Sequence, residues 1–100
     1  MIECGYEENF DLLGVLFKDP YTLKKSIEIG KDYIVDIDKK DEMASLQVVN
    51  FSEKVKLSKK TISESKIDVD LDVGEFLGVI YIRVTTKDGE TEELQIKVYL

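Results

Sequence analysis

The stretch Phe76-Leu77-Gly78-Val79-Ile80-Tyr81-Ile82-Arg83-Val84-Thr85-Thr86-Lys87-Asp88-Gly89-Glu90-Thr91-Glu92-Glu93-Leu94-Gln95-Ile96-Lys97-Val98-Tyr99-Leu100 decides the fold class. It holds two runs of alternating character, Phe76 to Thr86 and Glu92 to Leu100, around a Gly-containing turn. Period-two alternation puts successive side chains on opposite faces of a strand, so each run reads as half-buried β. A two-residue Asp88-Gly89 turn would set Ile80 against Lys97 and Ile82 against Gln95. A three-residue loop, Lys87-Asp88-Gly89, instead sets Ile80 against Ile96, Ile82 against Leu94 and Gly78 against Val98. On the other face it pairs Arg83 with Glu93 and Thr85 with Thr91. It also gives Gly89 the left-handed position of a type I turn with a bulge, where glycine costs least. The three-residue loop is therefore the predicted register, because a one-residue slip turns an apolar set to the wrong face.

The same alternation recurs upstream. Strands are predicted at Ile2 to Tyr6, Leu12 to Phe17, Leu23 to Ile29, Tyr33 to Ile37, Met43 to Val49 and Lys66 to Val73. Leu12 to Phe17 is nearly all apolar and reads as a central strand, stopped by Lys18-Asp19-Pro20. Glu7-Glu8-Asn9 and Lys39-Lys40-Asp41-Glu42 read as turns, and Gly30 closes the third strand. Ser52 to Lys66 is the least strand-like segment. Ser58 is the expected cap of a short helical turn near residues 58–65, and Thr61-Ile62-Ser63-Glu64 has capping-box spacing. Val35-Asp36-Ile37-Asp38 with Met43 to Val48 resembles Val69-Asp70-Leu71-Asp72 with Phe76 to Tyr81, an internal repeat or two hairpins of the same kind.

Composition sets the bounds. One hundred residues make one domain's worth of chain, with 43% hydrophobic and 35% charged residues, six Gly and one Pro. That suffices for a core without metal or disulfide staples. The net charge of −7 repels nucleic-acid phosphates and anionic lipid. One cysteine, Cys4, allows no intramolecular disulfide, and the start Met1-Ile2-Glu3-Cys4-Gly5-Tyr6-Glu7-Glu8, acidic and without an apolar region, is not expected to be a signal peptide. No apolar run is long enough to span a bilayer. A cytoplasmic protein, with no nucleic-acid or membrane partner, is expected.

Histidine is absent, which removes Ser-His-Asp and Cys-His nucleophile systems and zincin motifs. One cysteine removes structural zinc and iron–sulfur ligation within the chain. No glycine-rich phosphate loop is present. Carboxylates remain. Asp68-Val69-Asp70-Leu71-Asp72-Val73-Gly74-Glu75 superficially looks like a calcium loop, but Val73 and Val79 stand where the loop needs its Gly and its bidentate Glu. Alternation explains the run as a solvated strand face. Asp36, Asp38, Asp41 and Glu42 form a second acidic cluster, 36–42, read as turn-flanking charge, with Asp36 or Asp38 as a candidate partly buried carboxylate. Lys54, Lys56, Lys59, Lys60 and Lys66 form a basic stretch without an aromatic for base stacking, and read as solvated surface or as partners of the acidic strands. Cys4 reads as a small buried hydrophobe.

Four segments, Tyr6-Glu7-Glu8-Asn9-Phe10-Asp11-Leu12-Leu13, Ser26-Ile27-Glu28-Ile29, Ile34-Val35-Asp36-Ile37-Asp38 and Leu46-Gln47-Val48-Val49-Asn50-Phe51-Ser52, resemble the prokaryotic family called domain of unknown function 2283. The resemblance covers residues 6–53. Glu7 replaces the family's usual Asp, and Ala44-Ser45-Leu46-Gln47 stands where Gly-Ile-Glu is usual, so no role passes to that missing Glu. The resemblance implies a small β-rich fold and supplies no activity.

The expected architecture is a single mainly β domain over residues 1–100. Its antiparallel meander has about seven or eight strands, as a curled sheet or small sandwich, with one short helical turn. Residues 6–53 form the family-like half and 66–100 a C-terminal strand and hairpin extension. The expected function is a non-enzymatic protein-interaction or structural module, with homodimerisation through an edge strand. The alternatives are a carboxylate-based divalent-metal binder or enzyme, and an acidic antitoxin-like partner of a basic protein. No catalytic, cofactor-binding or metal residue, and no cofactor, is assigned.

Overall fold

A computed structural model describes residues 2–100. The strands are β1 (Glu3–Glu7), β2 (Leu12–Leu16), β3 (Leu23–Ile29), β4 (Tyr33–Asp38), β5 (Met43–Val49), β6 (Lys66–Val73), β7 (Leu77–Thr85) and β8 (Thr91–Tyr99). Two short helices, α1 (Phe51–Val55) and α2 (Lys59–Ser63), separate β5 from β6. The protein is mainly β, with two open antiparallel sheets, one of five strands and one of three. The chain divides into two compact units between Phe51 and Ser52.

The first unit holds the five-stranded sheet, in the order β1-β2-β5-β4-β3. β3, β4 and β5 meander, but β5 then pairs with β2 instead of opening a new edge. The result is Greek-key order, with the 17–22 connection carrying the chain from the sheet's interior to its far edge. Leu13, Val15, Val35, Ile37, Leu46 and Val48 are buried and share one face, as their alternation requires. Leu12, Gly14, Leu16, Ile34, Asp36, Ser45 and Gln47 form the other face. A register shift after Asp36 pairs Asp36 with Ser45 and Ile37 with Met43, so Ala44 is the extra residue of a bulge. Both Met43 and Ala44 are consequently buried.

The second unit holds the meander β6-β7-β8. Its hairpin closes in the predicted register: Ile80 faces Ile96, Ile82 faces Leu94, Gly78 faces Val98, Arg83 faces Glu93 and Thr85 faces Thr91. Gly89 has a φ of 87°, its N–H donates to the Thr86 carbonyl at 3.0 Å, and the Thr86 N–H donates to the Glu90 carbonyl at 2.9 Å. On β6, Ile67, Val69 and Leu71 lie opposite Val84, Ile82 and Ile80, leaving Asp68, Asp70 and Asp72 exposed on the other face.

The helical content exceeds the single turn expected. Ser58 caps α2 as predicted, accepting from the Thr61 N–H at 3.1 Å, but the helix ends at Ser63, short of Ser65. α1 follows Asn50, with Glu53 three residues on, the spacing of a capping box and a start signal that the strand-and-turn reading passes over. A five-residue helix has little intrinsic stability, and its two large apolar residues, Phe51 and Val55, are one turn apart and buried. Burial therefore holds α1. Lys56, at φ 58°, stops it in the left-handed conformation usual after a helix. Where Glu7-Glu8-Asn9 reads as a polar turn, Glu7 instead ends β1 and Glu8–Phe10 form a 3-10 turn that ends on Asp11 at φ 50°.

Candidate functional site

The open face of the five-stranded sheet carries the most elaborated polar group. The Asp36 carboxylate, on the central part of β4, accepts three hydroxyl hydrogen bonds: from Ser26 on β3 at 2.7 Å, from Tyr21 at 2.8 Å and from Ser45 on β5 at 3.1 Å. Ser26 and Ser45 are its direct cross-strand neighbours on either side. Burial pushes this carboxyl up, but the three hydroxyls together outweigh burial and hold it below the usual carboxylate value. At Tyr21 the Ser45 contact works downward, while Asp36 and burial work upward, and the phenol ends above its usual value. A shallow open depression lined by Glu3, Gly5, Gly14, Tyr21, Asp36 and Gln47 adjoins the group.

Asp38 does different work two residues on. It has the parity of Asp36 but is only 4% exposed, because the β4–β5 turn folds over it. Its carboxylate accepts from the N–H groups of Lys40 at 2.9 Å and Glu42 at 3.0 Å and pairs with Lys18 at 2.6 Å. Lys18, placed by the segment after β2, also bonds Glu42. The Lys18 hydrogen bond is the chief cause that holds the Asp38 carboxyl low, and Asp38 in turn raises the Lys18 ammonium. Asp41 pairs with Lys24 at 2.5 Å. The 36–42 cluster is thus split among hydroxyls, backbone N–H groups and two lysines. Asp38 flanks the turn and is also buried, so of the two candidate buried carboxylates, Asp36 and Asp38, it is Asp38 that the fold encloses.

A third group closes the start of the sheet. The Tyr6 hydroxyl donates to Asp11 at 2.5 Å, and the Tyr6 ring lies 5.9 Å from that of Phe51, tilted by 53°. The Asp11 carbonyl accepts from the Phe51 N–H at 3.0 Å. Burial first, then Asp11, raises the Tyr6 phenol far above its usual value. Asp is among the few L-residues that tolerate the left-handed turn Asp11 occupies. Tyr6→Phe keeps the ring contact and deletes one bond to a charged acceptor. It is expected to destabilise by about 1.5–3 kcal/mol, read as a lower urea midpoint at unchanged slope.

The remaining predicted residues stay apart. Asp68, Asp70 and Asp72 line the exposed face of β6, where Asp68 has Lys66 at 3.8 Å. In the matching hairpin Asp36 and Asp38 are engaged, so the two hairpins share a pattern and use it differently. Among the described residues, no three Cys, Asp or Glu side chains come together in a group that could hold a metal ion. Lys54 lies on α1, Lys59 and Lys60 on α2, and Lys66 opens β6. Cys4, expected to be buried, is exposed: it faces Val15 across β1–β2, but β1 is an edge strand of the sheet and leaves it uncovered. Among the described residues, no helix is long and apolar enough to cross a membrane.

Sheet edges are the other candidate surface. β8 is an edge of its sheet and pairs with β7 over nine residues without a bulge or a proline. The bonds Thr86 N–H to Glu90 and Leu100 N–H to Phe76 set the ladder's phase. Hydrogen-bonded and non-bonded pairs alternate in an antiparallel ladder. Glu92, Leu94, Ile96 and Val98 therefore turn their N–H and C=O groups toward β7. Thr91, Glu93, Gln95, Lys97 and Tyr99 turn theirs to the open side, and their side chains are exposed. At the end of this sheet Val73, Phe76, Tyr99 and Leu100 are also exposed.

No family model, no curated protein and no solved structure matches this chain.

Proposed function

We propose that this chain is a non-enzymatic protein-interaction or structural module that associates through an edge strand. The observation that carries this reading is β8: nine regular residues whose alternate backbone groups face away from their own sheet. Such an edge accepts an added strand, the backbone supplying affinity and alternate side chains supplying selectivity. The carboxylates support the same reading from the other side. Asp36, Asp38, Asp41 and Glu42 are occupied by partners of this chain, as structural carboxylates are. A single cysteine and an acidic balance fit the cytoplasm. The four segments that resemble the domain of unknown function 2283 family fall on β1–β2, β3, β4 and β5–α1.

The test is Gln95→Pro. Proline removes the outward N–H at the middle of the edge while leaving the bonds to β7 intact, a kind of position at which a sheet tolerates proline. Wild-type and Gln95→Pro baits are used side by side for affinity capture from the native organism, with circular dichroism showing both folded. Partners retained by the wild type and lost by the variant support the reading. Identical recovery by the two baits overturns it.

A further inference from the structure

Resting on the edge-strand reading above, we infer that the strand which adds to β8 is β8 of a second copy, antiparallel about a two-fold axis through Gln95. The outward residues fix which registers are available. Two outward-facing residues must oppose each other for the backbone bonds to form, so permitted registers differ by two-residue steps. With Gln95 opposite its own counterpart, Glu93 faces Lys97 of the second copy, and Lys97 faces its Glu93. Thr91 faces Tyr99 on each side. On the other face Leu94 meets Ile96 of the second copy.

The charge match is specific to this register. A step one way sets Glu93 against Gln95 and Lys97 against Thr91; a step the other way sets Glu93 against Tyr99 and Gln95 against Lys97. Both lose the two opposite-charge pairs. Within each chain Arg83 already holds Glu93 at 2.7 Å, so the second copy's Lys97 completes a cation–carboxylate–cation row across the joined sheets. Opposite charges placed directly across strands stabilise, and like charges destabilise.

The other edges are built against self-pairing. β6 carries Asp68, Asp70 and Asp72 at alternate positions, so antiparallel self-pairing sets Asp against Asp. β1 centred on Gly5 sets Glu3 against Glu7. β3 has a register shift between Leu23 and Lys25, and Lys24 is held by Asp41. Charges and bulges of this kind are how edges are protected. β8 has no bulge along Glu93 to Tyr99, and its two charges there, Glu93 and Lys97, are of opposite sign, so antiparallel self-pairing can match them.

The experiment uses the full chain and two single variants. Wild type is expected to form a dimer by light scattering and sedimentation at protein concentrations up to about 1 mM, where small interfaces act. Lys97→Glu sets Glu against Glu twice, and Glu93→Lys sets Lys against Lys twice. Each alone is expected to weaken dimerisation at least about tenfold. An equimolar mixture restores both opposite pairs and is expected to give a heterodimer, a rescue that misfolding of either variant does not produce. Gln95→Pro is expected to be monomeric and folded. A wild type that stays monomeric throughout overturns the self-pairing and leaves the bait comparison to judge the edge reading. A dimer unaffected by both charge variants also overturns it.

Discussion

Phe51→Ala is expected to lower stability by about 3–5 kcal/mol, the range for emptying a buried aromatic site. Phe51 is 0% exposed and heads the largest of the fully buried side chains. It is also the point where three local arrangements meet. Its ring packs beside Tyr6, its N–H is held by the Asp11 carbonyl, and it opens α1. Truncation therefore removes apolar burial, leaves a cavity, and takes away one of the two buried residues that keep a five-residue helix folded. The measurement is urea unfolding followed by circular dichroism. The midpoint is expected to fall at constant slope, since the surface exposed on unfolding is nearly the same. A loss below about 1 kcal/mol would show that the site collapses around the missing ring, contrary to close packing there. Phe51→Leu, which keeps most of the volume, is expected to cost under about 1.5 kcal/mol and separates cavity from helix effects.

Acidification is expected to produce the largest collective loss, because it acts on several carboxylates together. Asp36, Asp38 and Glu64 are all held below their ordinary values in the folded protein. For Asp36, burial works upward and the hydroxyls of Ser26, Tyr21 and Ser45 overcome it. For Asp38 and Glu64 the leading causes are the hydrogen bonds from Lys18 and from Lys87, the latter at 2.9 Å. A lowered folded value means the unfolded chain binds more protons in this range. The stabilisation is fully present above the unfolded values, 3.8 for Asp and 4.5 for Glu, and is lost as pH falls through the folded values. At the alkaline end the signs reverse. Lys18 and Tyr6 are raised, so their contributions hold below 10.5 and 10.0 and fade as pH rises through the folded values. The check is urea stability measured from pH 6 downward on wild type and on Asp36→Asn with Asp38→Asn. The double variant is expected to start lower and fall less steeply, converging on the wild type once both carboxyls are protonated. Parallel curves would mean that these two carboxyls do not govern the acid limb.

The contrast between the two hairpins with paired Asp residues explains what a sequence does and does not reveal about a site. Asp36-Ile37-Asp38 and Asp70-Leu71-Asp72 are the same local pattern, and alternation places both pairs off the apolar face. Asp70 and Asp72 remain exposed as that pattern implies. Asp36 instead has Ser26 and Ser45 as cross-strand neighbours and Tyr21 above it, residues 10, 9 and 15 positions away in the chain. Lys18 reaches Asp38 from 20 positions away. No local signal marks such partners, because strand pairing and not spacing brings them together. Cys4 shows the complementary effect: its parity is that of the buried Leu13–Val15 face, and only its place on an edge strand leaves it exposed.

Local physics determined the β class, the strands and the closing hairpin of this protein. Period-two alternation, a proline stop after β2 and a glycine that alone takes φ near 87° comfortably are all short-range, and the Lys87-Asp88-Gly89 loop follows from them. The division into sheets of five and three and the return of β5 to β2 were decided by tertiary structure. Each depends on which apolar faces find cover, a property of the assembled chain that no window of neighbouring residues contains.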